Sequence, residues 1–413
     1  MGSLSFRHWP TSASGNVLKY YLYKSTKAVE FYRPIMYLFF LAQGLDFTQI
    51  ATLEAIYNLT TVFGEIPTGY IGDRIGRRDS LLVGTVLIAA TLVGIGFANS
   101  FHTLAILYVF WSTGYNFRSG SEDAWLYDTL TDELSESEFA RVRGRGESAS
   151  LAVGAIAAVV GGYLGSLDLS LPWFVAAVVT GVGALVLLTL DEPDTYERAD
   201  TEELGLERTL GIVKEALSRR NIRALILYYY VLYAAVTYLV FVFLQPIFET
   251  VVVDLGVSPG QVESLLGWFY AAYSLFGAVL SYYTGTIRET IGIRVWFLVL
   301  PFVVGTALIG MYFVPILALP TFLVARGLAD VTRSFAGQYV NDRIGTVGRA
   351  TVLSAMAMVS GVTVVPFQLG SGVISDLVSP LFALAVAGIV LIVGSGTILF
   401  WEVPISNQVS EAR

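Results

Sequence analysis

Three ionisable side chains interrupt a long apolar stretch of the chain, in the segment FRSGSEDAW. The stretch begins near Leu104, and Arg118, Glu122 and Asp123 follow where a segment that crosses a bilayer should carry no charge. On insertion scales, a charge at the centre of a membrane helix costs about 2.5–3.5 kcal/mol. An apolar neighbour returns only about 0.3–0.6 kcal/mol. These side chains must therefore face the protein interior or a water-filled cavity.

The spacing of these charges predicts pairs on one helix. Arg118 and Glu122 are four residues apart, and so are Ser119 and Asp123. Residues four apart lie on the same helix face and within pairing distance. We interpret Glu122 and Asp123 as proton-carrying groups, and Arg118 as a group that binds a substrate or a counter-charge.

A second apolar stretch, VARGLADVTRSFAG, shows the same pattern. Arg326, Asp330 and Arg333 follow one another at spacings of four and three, which places them on one continuous stripe of a helix. Tyr229 and Tyr233 form a further stripe, which suits either packing or contact with an organic ligand. The alternative interpretation of both charged stretches is that the pairs satisfy themselves and only fix helix packing.

The composition is that of a membrane protein. Of the 413 residues, 55% are hydrophobic and 14% are charged, and the mean hydropathy is +0.65. Soluble domains carry about 25% charged residues. The apolar residues form long blocks, which excludes the alternating pattern of an outer-membrane barrel. Cysteine is absent and the two histidines, His8 and His102, are isolated, so we expect no metal site and no cofactor.

Twelve blocks have roughly the 20 apolar residues that a membrane helix needs. They lie near 28–45, 50–69, 79–98, 103–128, 148–166, 172–190, 222–246, 261–284, 295–316, 319–340, 350–373 and 380–402. A polar segment with a short amphipathic helix near 206–218 separates the sixth block from the seventh. We predict an all-α membrane protein with a six-helix bundle and cytoplasmic lead-in at 1–190, a cytoplasmic linker at 191–221, and a second six-helix bundle with a short tail at 222–413.

The positions of lysine and arginine predict the orientation of this protein in the membrane. Alternate loops carry no basic residue at all; they lie near 46–49, 99–102, 167–171, 247–260, 317–318 and 374–379. Because basic loops stay on the cytoplasmic side, both termini are expected to be cytoplasmic. The two halves also resemble each other after spans four and ten, where Asp342 matches Asp128. Repeated halves are typical of transporters.

The loop between spans two and three, GYIGDRIGRRD, has the form G-x3-D-R-x-G-R-R. It resembles the signature loop of the major facilitator superfamily, and the twelve spans, the linker and the repeated halves extend this resemblance over the whole chain. Two other motifs depart from the family pattern: the AAVVGG stretch of span five has no proline, and span four lacks an arginine–glutamine–glycine pattern. Both departures weaken an exporter assignment. The residues that match the signature loop are Gly69, Asp73, Arg74, Gly76, Arg77 and Arg78.

The resemblance implies a conformational latch at this loop. Asp73 would face the start of span eleven, near Arg349, and Arg77 would reach Asp128 at the end of span four. Gly69 and Gly76 would allow close helix approach and a tight turn. The resemblance also implies that spans one, four, seven and ten line a central cavity, which would place the charges of spans four and ten on a transport path.

We therefore predict a multi-pass protein of the plasma membrane that transports a small solute by alternating access with proton coupling. We expect a monomer in the lipid bilayer whose partners are a small-molecule substrate and protons, with no nucleic acid. A transporter-fold sensor and a facilitator without ion coupling are the alternatives. The sequence contains no histidine cluster, metal site or catalytic serine motif in context, which favours a protein that is not an enzyme. It also lacks a nucleotide-binding loop of the G-x4-G-K-[ST] type.

Overall fold

The computed structural model describes residues 11–27, 29–119, 121–131, 136–190, 211, 220–342 and 349–402. Within these ranges the chain consists of helices and short turns, and contains no β-strand. This all-helical structure agrees with the sequence prediction, because a membrane helix satisfies its own backbone hydrogen bonds where no water is present. The predicted linker lies outside the described residues, apart from 211, 220 and 221.

The α-helices of the described chain are numbered in order. They are α1 (Thr11–Ser25), α2 (Val29–Tyr32), α3 (Met36–Ala42), α4 (Phe47–Ile75), α5 (Arg77–Phe97), α6 (Phe101–Arg118), α7 (Ser121–Thr131), α8 (Glu136–Leu167), α9 (Leu171–Leu188), α10 (Arg220–Leu225), α11 (Ala234–Asp254), α12 (Val262–Tyr282), α13 (Thr284–Thr290), α14 (Ile293–Phe313), α15 (Ala318–Asn341), α16 (Arg349–Leu377) and α17 (Pro380–Trp401). A π-helix, Ile226–Tyr233, joins α10 to α11.

Nine helical stretches of the described chain are long and apolar enough to cross a membrane. They coincide with predicted spans three and five to twelve. They are Arg77–Phe97, Arg141–Leu167, Leu171–Leu188, Arg223–Asp254, Pro259–Tyr282, Ile293–Phe313, Pro315–Val340, Ala355–Leu377 and Pro380–Trp401.

Predicted spans one, two and four are helical but differ from these nine stretches. Span one is divided by a 3-10 turn at Arg33–Ile35, which contains a proline. Span two is the single helix α4, of 29 residues, which carries Glu54 and Glu65 within the predicted span. Span four is divided into α6 and α7. The number of twelve crossings and the cytoplasmic position of both termini therefore stay predictions.

The helices group into two compact units. Unit 1 takes its described residues from Met1–Met36, Phe63–Glu203 and Glu263–Ala271. Unit 2 takes its described residues from Tyr37–Val62, Leu204–Val262 and Ala272–Arg413. Helix α4 thus begins in unit 2 and ends in unit 1. The division of the spans into bundles at 1–190 and 222–413 remains a prediction.

In unit 1, helix α1 packs on the ends of several longer helices. Its apolar side chains join a buried cluster made of Val17, Tyr20, Tyr23, Leu81, Trp125, Leu126, Val142, Leu187 and Leu190. The ammonium group of Lys19 also donates a hydrogen bond to the carbonyl of Thr189, just beyond α9. The sequence predicts only a cytoplasmic lead-in here, and not a packed helix. Burial of this apolar area stabilises α1 on the unit.

In unit 2, a carboxylate at the end of α16 holds the start of α4. Asp376 accepts hydrogen bonds from the backbone N–H groups of Phe47 and Thr48, at 2.8 and 2.9 Å, and from the Thr48 hydroxyl at 2.5 Å. The first N–H groups of a helix have no partner within the helix, and their positive end attracts an anion. Asp376 therefore joins span eleven to the first turn of span two.

Two further polar contacts cross unit 2. The side-chain oxygen of Gln245, in the buried part of α11, accepts the N–H of Tyr37 at 2.7 Å. This contact supplies a partner for a backbone group next to the 3-10 turn of span one. Glu54 of α4 accepts a hydrogen bond from the hydroxyl of Tyr238 and is 4% exposed. Burial of both groups requires such a bond, because an unmatched polar group in an apolar setting is costly.

We expect Asp376→Ala to loosen the start of α4. Losing a carboxylate that caps a helix costs about 0.5–2 kcal/mol. The measurement is amide hydrogen exchange of the peptide covering 43–52 in the purified, detergent-solubilised protein, where exchange should become faster. Asp168→Ala is the matched control, because Asp168 accepts only from Ser170, two residues away in the same loop, at 2.7 Å. Unchanged exchange at 43–52 in Asp376→Ala would contradict the capping role.

Candidate functional site

The signature loop between α4 and α5 contains the predicted charged contacts within unit 1. Arg77 donates to Asp73 at 2.9 Å, and its Nε atom lies 3.8 Å from Oδ2 of Asp128. Arg78 contacts the carboxylate of Asp79 at 2.8 Å and donates to the carbonyl of Leu190 at 3.3 Å. The structure therefore brings Arg77 beside Asp128, the residue that the sequence paired with it.

The two glycines of this loop have different environments. Gly76 immediately precedes α5 with a φ of 106°, a backbone conformation that favours glycine, so it makes the predicted tight turn. Gly69 has no described atom within 4 Å of the position that a Cβ would occupy, so its role in close helix approach stays a prediction. Arg74 lies over the ring of Tyr70, 4.1 Å from its centroid. The side chain of Arg349 lies outside the described part, and its contact with Asp73 stays a prediction.

Span four does not form the continuous helix on which the predicted charge pairs depend. Helix α6 ends at Arg118, and the next residue, Ser119, has an extended backbone with φ −63° and ψ 129°. The hydroxyl of Ser80, in α5, donates to the carbonyl of Phe117 at 2.8 Å and supplies a partner where the helix ends. The break changes the direction of the chain before α7, so the spacing of four residues no longer places Arg118 and Glu122 on one face.

The acids after this break pair with residues that their spacing in the sequence does not indicate. Glu122 lies between two lysines, with its Oε1 2.6 Å from Lys24 and its Oε2 2.8 Å from Lys27. Asp123 accepts two hydrogen bonds from Arg143 of α8, both at 2.8 Å. The predicted pairs Arg118–Glu122 and Ser119–Asp123 are replaced by these contacts. Three of the four lysines of the chain lie in or just after α1, a clustering that could have indicated their role.

Electrostatics favour the charged form of Lys24, which lies in α1 and outside the predicted spans. Burial disfavours the ammonium group, but the carboxylates of Glu122 and Glu147, at 2.6 and 2.7 Å, raise the pKa of Lys24 above its usual value. Lys24 and Glu122 are both buried, at 6% and 8% exposed. The pair therefore links α1 to α7, and loss of either partner would leave the other with one counter-charge, Glu147 for Lys24 and Lys27 for Glu122.

A polar cavity of about 530 Å³ adjoins this cluster within unit 1. Its lining combines cations and carboxylates from α1, α6, α7 and α8. The residues are Lys24, Lys27, Arg118, Ser119, Glu122, Asp123, Arg143, Gly144 and Glu147. The predicted residues Arg118, Glu122 and Asp123 thus share one cavity, although they do not pair with one another.

Unit 2 carries a second cluster on α15. Arg326 lies 3.6 Å from Asp330 and 5.5 Å from the ring centroid of Tyr273. Arg333 interacts with the side chain of Tyr229. The structure therefore keeps the predicted stripe of α15 intact, because no break interrupts this helix.

The tyrosines beside this cluster lie in the π-helix Ile226–Tyr233. The N–H of Ala234 bonds to the carbonyl of Tyr229, five residues back, which is the π pattern. Tyr229 and Tyr233 stack with ring centroids 5.9 Å apart. Ser360 of α16 donates to the carbonyl of Tyr230 at 2.6 Å. Single π turns are frequent at functional sites.

Among the described residues, no group of three histidine, cysteine or acidic side chains could hold a metal ion.

The family model of the Major Facilitator Superfamily matches residues 28–362. The chain belongs to the major facilitator superfamily. It is 21% identical over 373 residues to the uncharacterized MFS-type transporter YxaM of Bacillus subtilis (strain 168), covering 89% of each protein. It is also 21% identical over 162 residues to the uncharacterized MFS-type transporter MJ1317 of Methanocaldococcus jannaschii, covering 37% of this chain and 40% of that relative.

Solved structures of the superfamily share the fold of this member. The crystal structure of the nucleoside transporter NupG matches with a TM-score of 0.76 and 13% identity, over 95% of this chain and 99% of that one. A bacterial homolog of the human lysosomal transporter Spinster, in an inward-facing and occupied conformation, matches with a TM-score of 0.67 and 16% identity, over 97% of each chain. These identities show the fold alone. Together with its family, they make this protein a multi-pass membrane transporter.

We expect Arg77→Ala and Asp73→Asn to slow transport while leaving the superfamily member folded and inserted. Each change removes a contact of the signature loop, and a bias of about 1.4 kcal/mol between conformations corresponds to a tenfold effect. The measurement is the initial rate of solute uptake into proteoliposomes, normalised to the amount of protein inserted. Arg288→Ala is the control, because the side-chain contact of Arg288 within the described residues is with Gln338, at 3.0 Å, on an exposed surface of unit 2. Wild-type rates in both loop variants would remove the latch assignment.

Proposed function

We propose that this chain is a secondary active transporter that moves a small solute across the cytoplasmic membrane by alternating access, with proton coupling. The observation that carries this proposal is the cluster of Arg326, Asp330 and Arg333 on a helix that is apolar enough to span a membrane. Charges in such a position are rare, and they mark the paths of substrates and protons. The absence of a nucleotide-binding loop from the sequence supports coupling to an ion gradient.

The contacts of the candidate acids favour a proton site on span ten over the one that the sequence suggests on span four. Glu122 has two ammonium groups at 2.6 and 2.8 Å, so it must lose both partners before it can be neutralised by a proton. Asp123 is held by a bidentate contact with Arg143 at an exposed position. Asp330 has one cation at 3.6 Å, and its side chain is 25% exposed. A proton can replace this weaker contact at a smaller cost.

The proposed roles of the charged residues therefore differ between the units. Asp330 exchanges its contact with Arg326 for a proton during the transport cycle. Arg333 and the π-helical tyrosines Tyr229 and Tyr233 contact the solute from the other side of the same cluster. In unit 1, Glu122 holds α1 to α7 through its ion pairs with the two lysines. Arg118 lies on the solute path. The organisation into two six-helix halves and the cytoplasmic position of both termini belong to this proposal.

The test is transport by the purified protein in liposomes with an imposed pH gradient and a panel of small solutes. Asp330→Asn should abolish accumulation against a solute gradient, because an amide cannot take up a proton, but should preserve solute exchange at equal pH. Asp254→Asn, at the exposed end of α11, is the control and should behave as wild type. Accumulation by Asp330→Asn would remove the proton assignment. Binding of a solute without any flux would instead indicate a sensor.

Glu122→Gln should have a different effect from Asp330→Asn. The change leaves Lys27 without a carboxylate and Lys24 with only Glu147, so the amount of folded protein should fall while coupling is retained in the protein that inserts. Removing one partner of a buried ion pair costs about 3–5 kcal/mol, and the partial exposure of this site reduces that figure. The measurement is fluorescence-detected size-exclusion chromatography beside the transport assay. Normal abundance with loss of coupling would return the proton to Glu122.

A further inference from the structure

Among the described residues that line the cavity of unit 1, one buried cation has no carboxylate within ion-pair distance. Arg118 is 6% exposed, and its Nε atom has no hydrogen-bond partner in the described chain. Its contacts are with the ring faces of Tyr23 and Tyr115, whose centroids lie 5.6 and 5.7 Å from the guanidinium carbon, and with the hydroxyl of Tyr23. Ring faces and a phenol hydroxyl are uncharged, so they do not balance a guanidinium in the way that a carboxylate does. A buried guanidinium in this state lacks the partner that such groups normally have.

The surrounding helices make room for this arginine. At Gly84 of α5, a Cβ atom would lie 2.9 Å from Cγ of Arg118 and 2.6 Å from the carbonyl oxygen of Gly114 in α6. Any side chain at this position would push α6 away or displace the arginine. Close backbone approach at a small residue is how membrane helices pack. The position of Arg118 beside the cavity is therefore built into the contact between α5 and α6.

The charges that line the cavity do not balance. Four cations, Lys24, Lys27, Arg118 and Arg143, face three carboxylates, Glu122, Asp123 and Glu147, which leaves one positive charge in excess. The lysines and Arg143 are within ion-pair distance of these carboxylates, so the excess belongs to Arg118.

The state of Lys27 agrees with this excess of positive charge. Burial, together with the nearby cations Arg118 and Lys24, lowers the pKa of Lys27 in spite of the opposing carboxylate of Glu122. An added anion would relieve the repulsion among these cations. Lys27 also has donors to spare, since an ammonium group has three and one is directed at Glu122.

We propose that this cavity is a binding subsite for a monocarboxylate, in which the guanidinium of Arg118 pairs with the carboxylate of the ligand and Lys27 donates a second contact. The planar fork of arginine matches the two oxygens of a carboxylate. A carboxylate carries the single charge that balances the cavity, whereas a phosphate ester carries about −1.5 to −2 at neutral pH. A volume of about 530 Å³ accommodates a small organic acid.

This inference rests on the proposed function only in placing the subsite on a solute path; binding itself requires no flux. The test is equilibrium binding of radiolabelled benzoate to the full-length protein in nanodiscs of neutral phosphatidylcholine. Benzoate should bind saturably, acetate should compete with it, and benzamide, which has the same shape without the charge, should not. Equal competition by benzamide, or no saturable binding of benzoate at millimolar concentration, overturns the proposal.

Variants locate the binding to Arg118. Arg118→Gln should weaken benzoate binding roughly tenfold to hundredfold, as expected for loss of hydrogen bonds to a charged group. Arg118→Lys keeps the charge and should give an intermediate loss, which also guards against a folding defect in the glutamine variant. Arg143→Gln removes the same charge from the same cavity, but from an arginine that already has a carboxylate partner; it should cost at most about threefold. An equal loss in Arg143→Gln and Arg118→Gln overturns the specific pairing.

Two further binding measurements distinguish a carboxylate solute from phosphate and from a lipid headgroup. Stronger competition by inorganic phosphate than by acetate overturns the carboxylate assignment. Loss of benzoate binding in nanodiscs that contain phosphatidylglycerol assigns the cavity to a lipid headgroup and overturns a solute subsite. Binding that depends on Arg118 without uptake in liposomes would support this subsite while removing the proposed transport; uptake of a solute without such binding would do the reverse.

Discussion

The ion pairs of Glu122 with Lys24 and Lys27 organise one end of unit 1. In the orientation that we propose, this end is near the cytoplasm. They join the N-terminal helix α1 to α7, after the break that ends α6. Without them, buried Lys24 would keep Glu147 alone as its carboxylate partner, and the partly exposed Lys27 would lose the carboxylate that faces it. The apolar cluster around Tyr20 and Trp125 then fills the space beneath α1. The cavity, its lining charges and the isolated position of Arg118 all follow from this arrangement.

Unit 2 accommodates its charged side chains in a different way. Its charged stripe lies on one unbroken helix, and the irregular backbone lies instead in the neighbouring π-helix Ile226–Tyr233. A π turn shifts the direction of the residues that follow it and leaves carbonyls to be satisfied, and Ser360 bonds to one of them. Sequence positions that look equivalent in spans four and ten thus reach different geometries. This difference is the physical basis for our proposal that Asp330 carries the proton and that Glu122 holds α1 to α7.

Backbone groups at helix ends are the other points at which polar side chains act. Asp376 accepts from the first N–H groups of α4, Ser80 donates to the carbonyl of Phe117 in the last turn of α6, and Gln245 accepts from a backbone N–H beside the turn of span one. Each contact serves a group that its own helix leaves without a partner. In a lipid environment water cannot take these positions, so interruptions of a span occur only beside such partners.

Block hydrophobicity and local motifs depend only on neighbours in the chain, so they were enough to predict the helical class, nine of the apolar spans, the superfamily and the residues of the signature loop. It also selected Arg326 and Asp330 correctly as a close pair, since an unbroken helix converts spacing directly into distance. The partners of Glu122 and Asp123 could not be derived in this way. They depend on the break at Ser119 and on α1, whose polar sequence conceals a packed face. The packing of helices that are remote in sequence sets which lysine or arginine pairs with each acid, and it leaves Arg118 without an ion pair among the described residues.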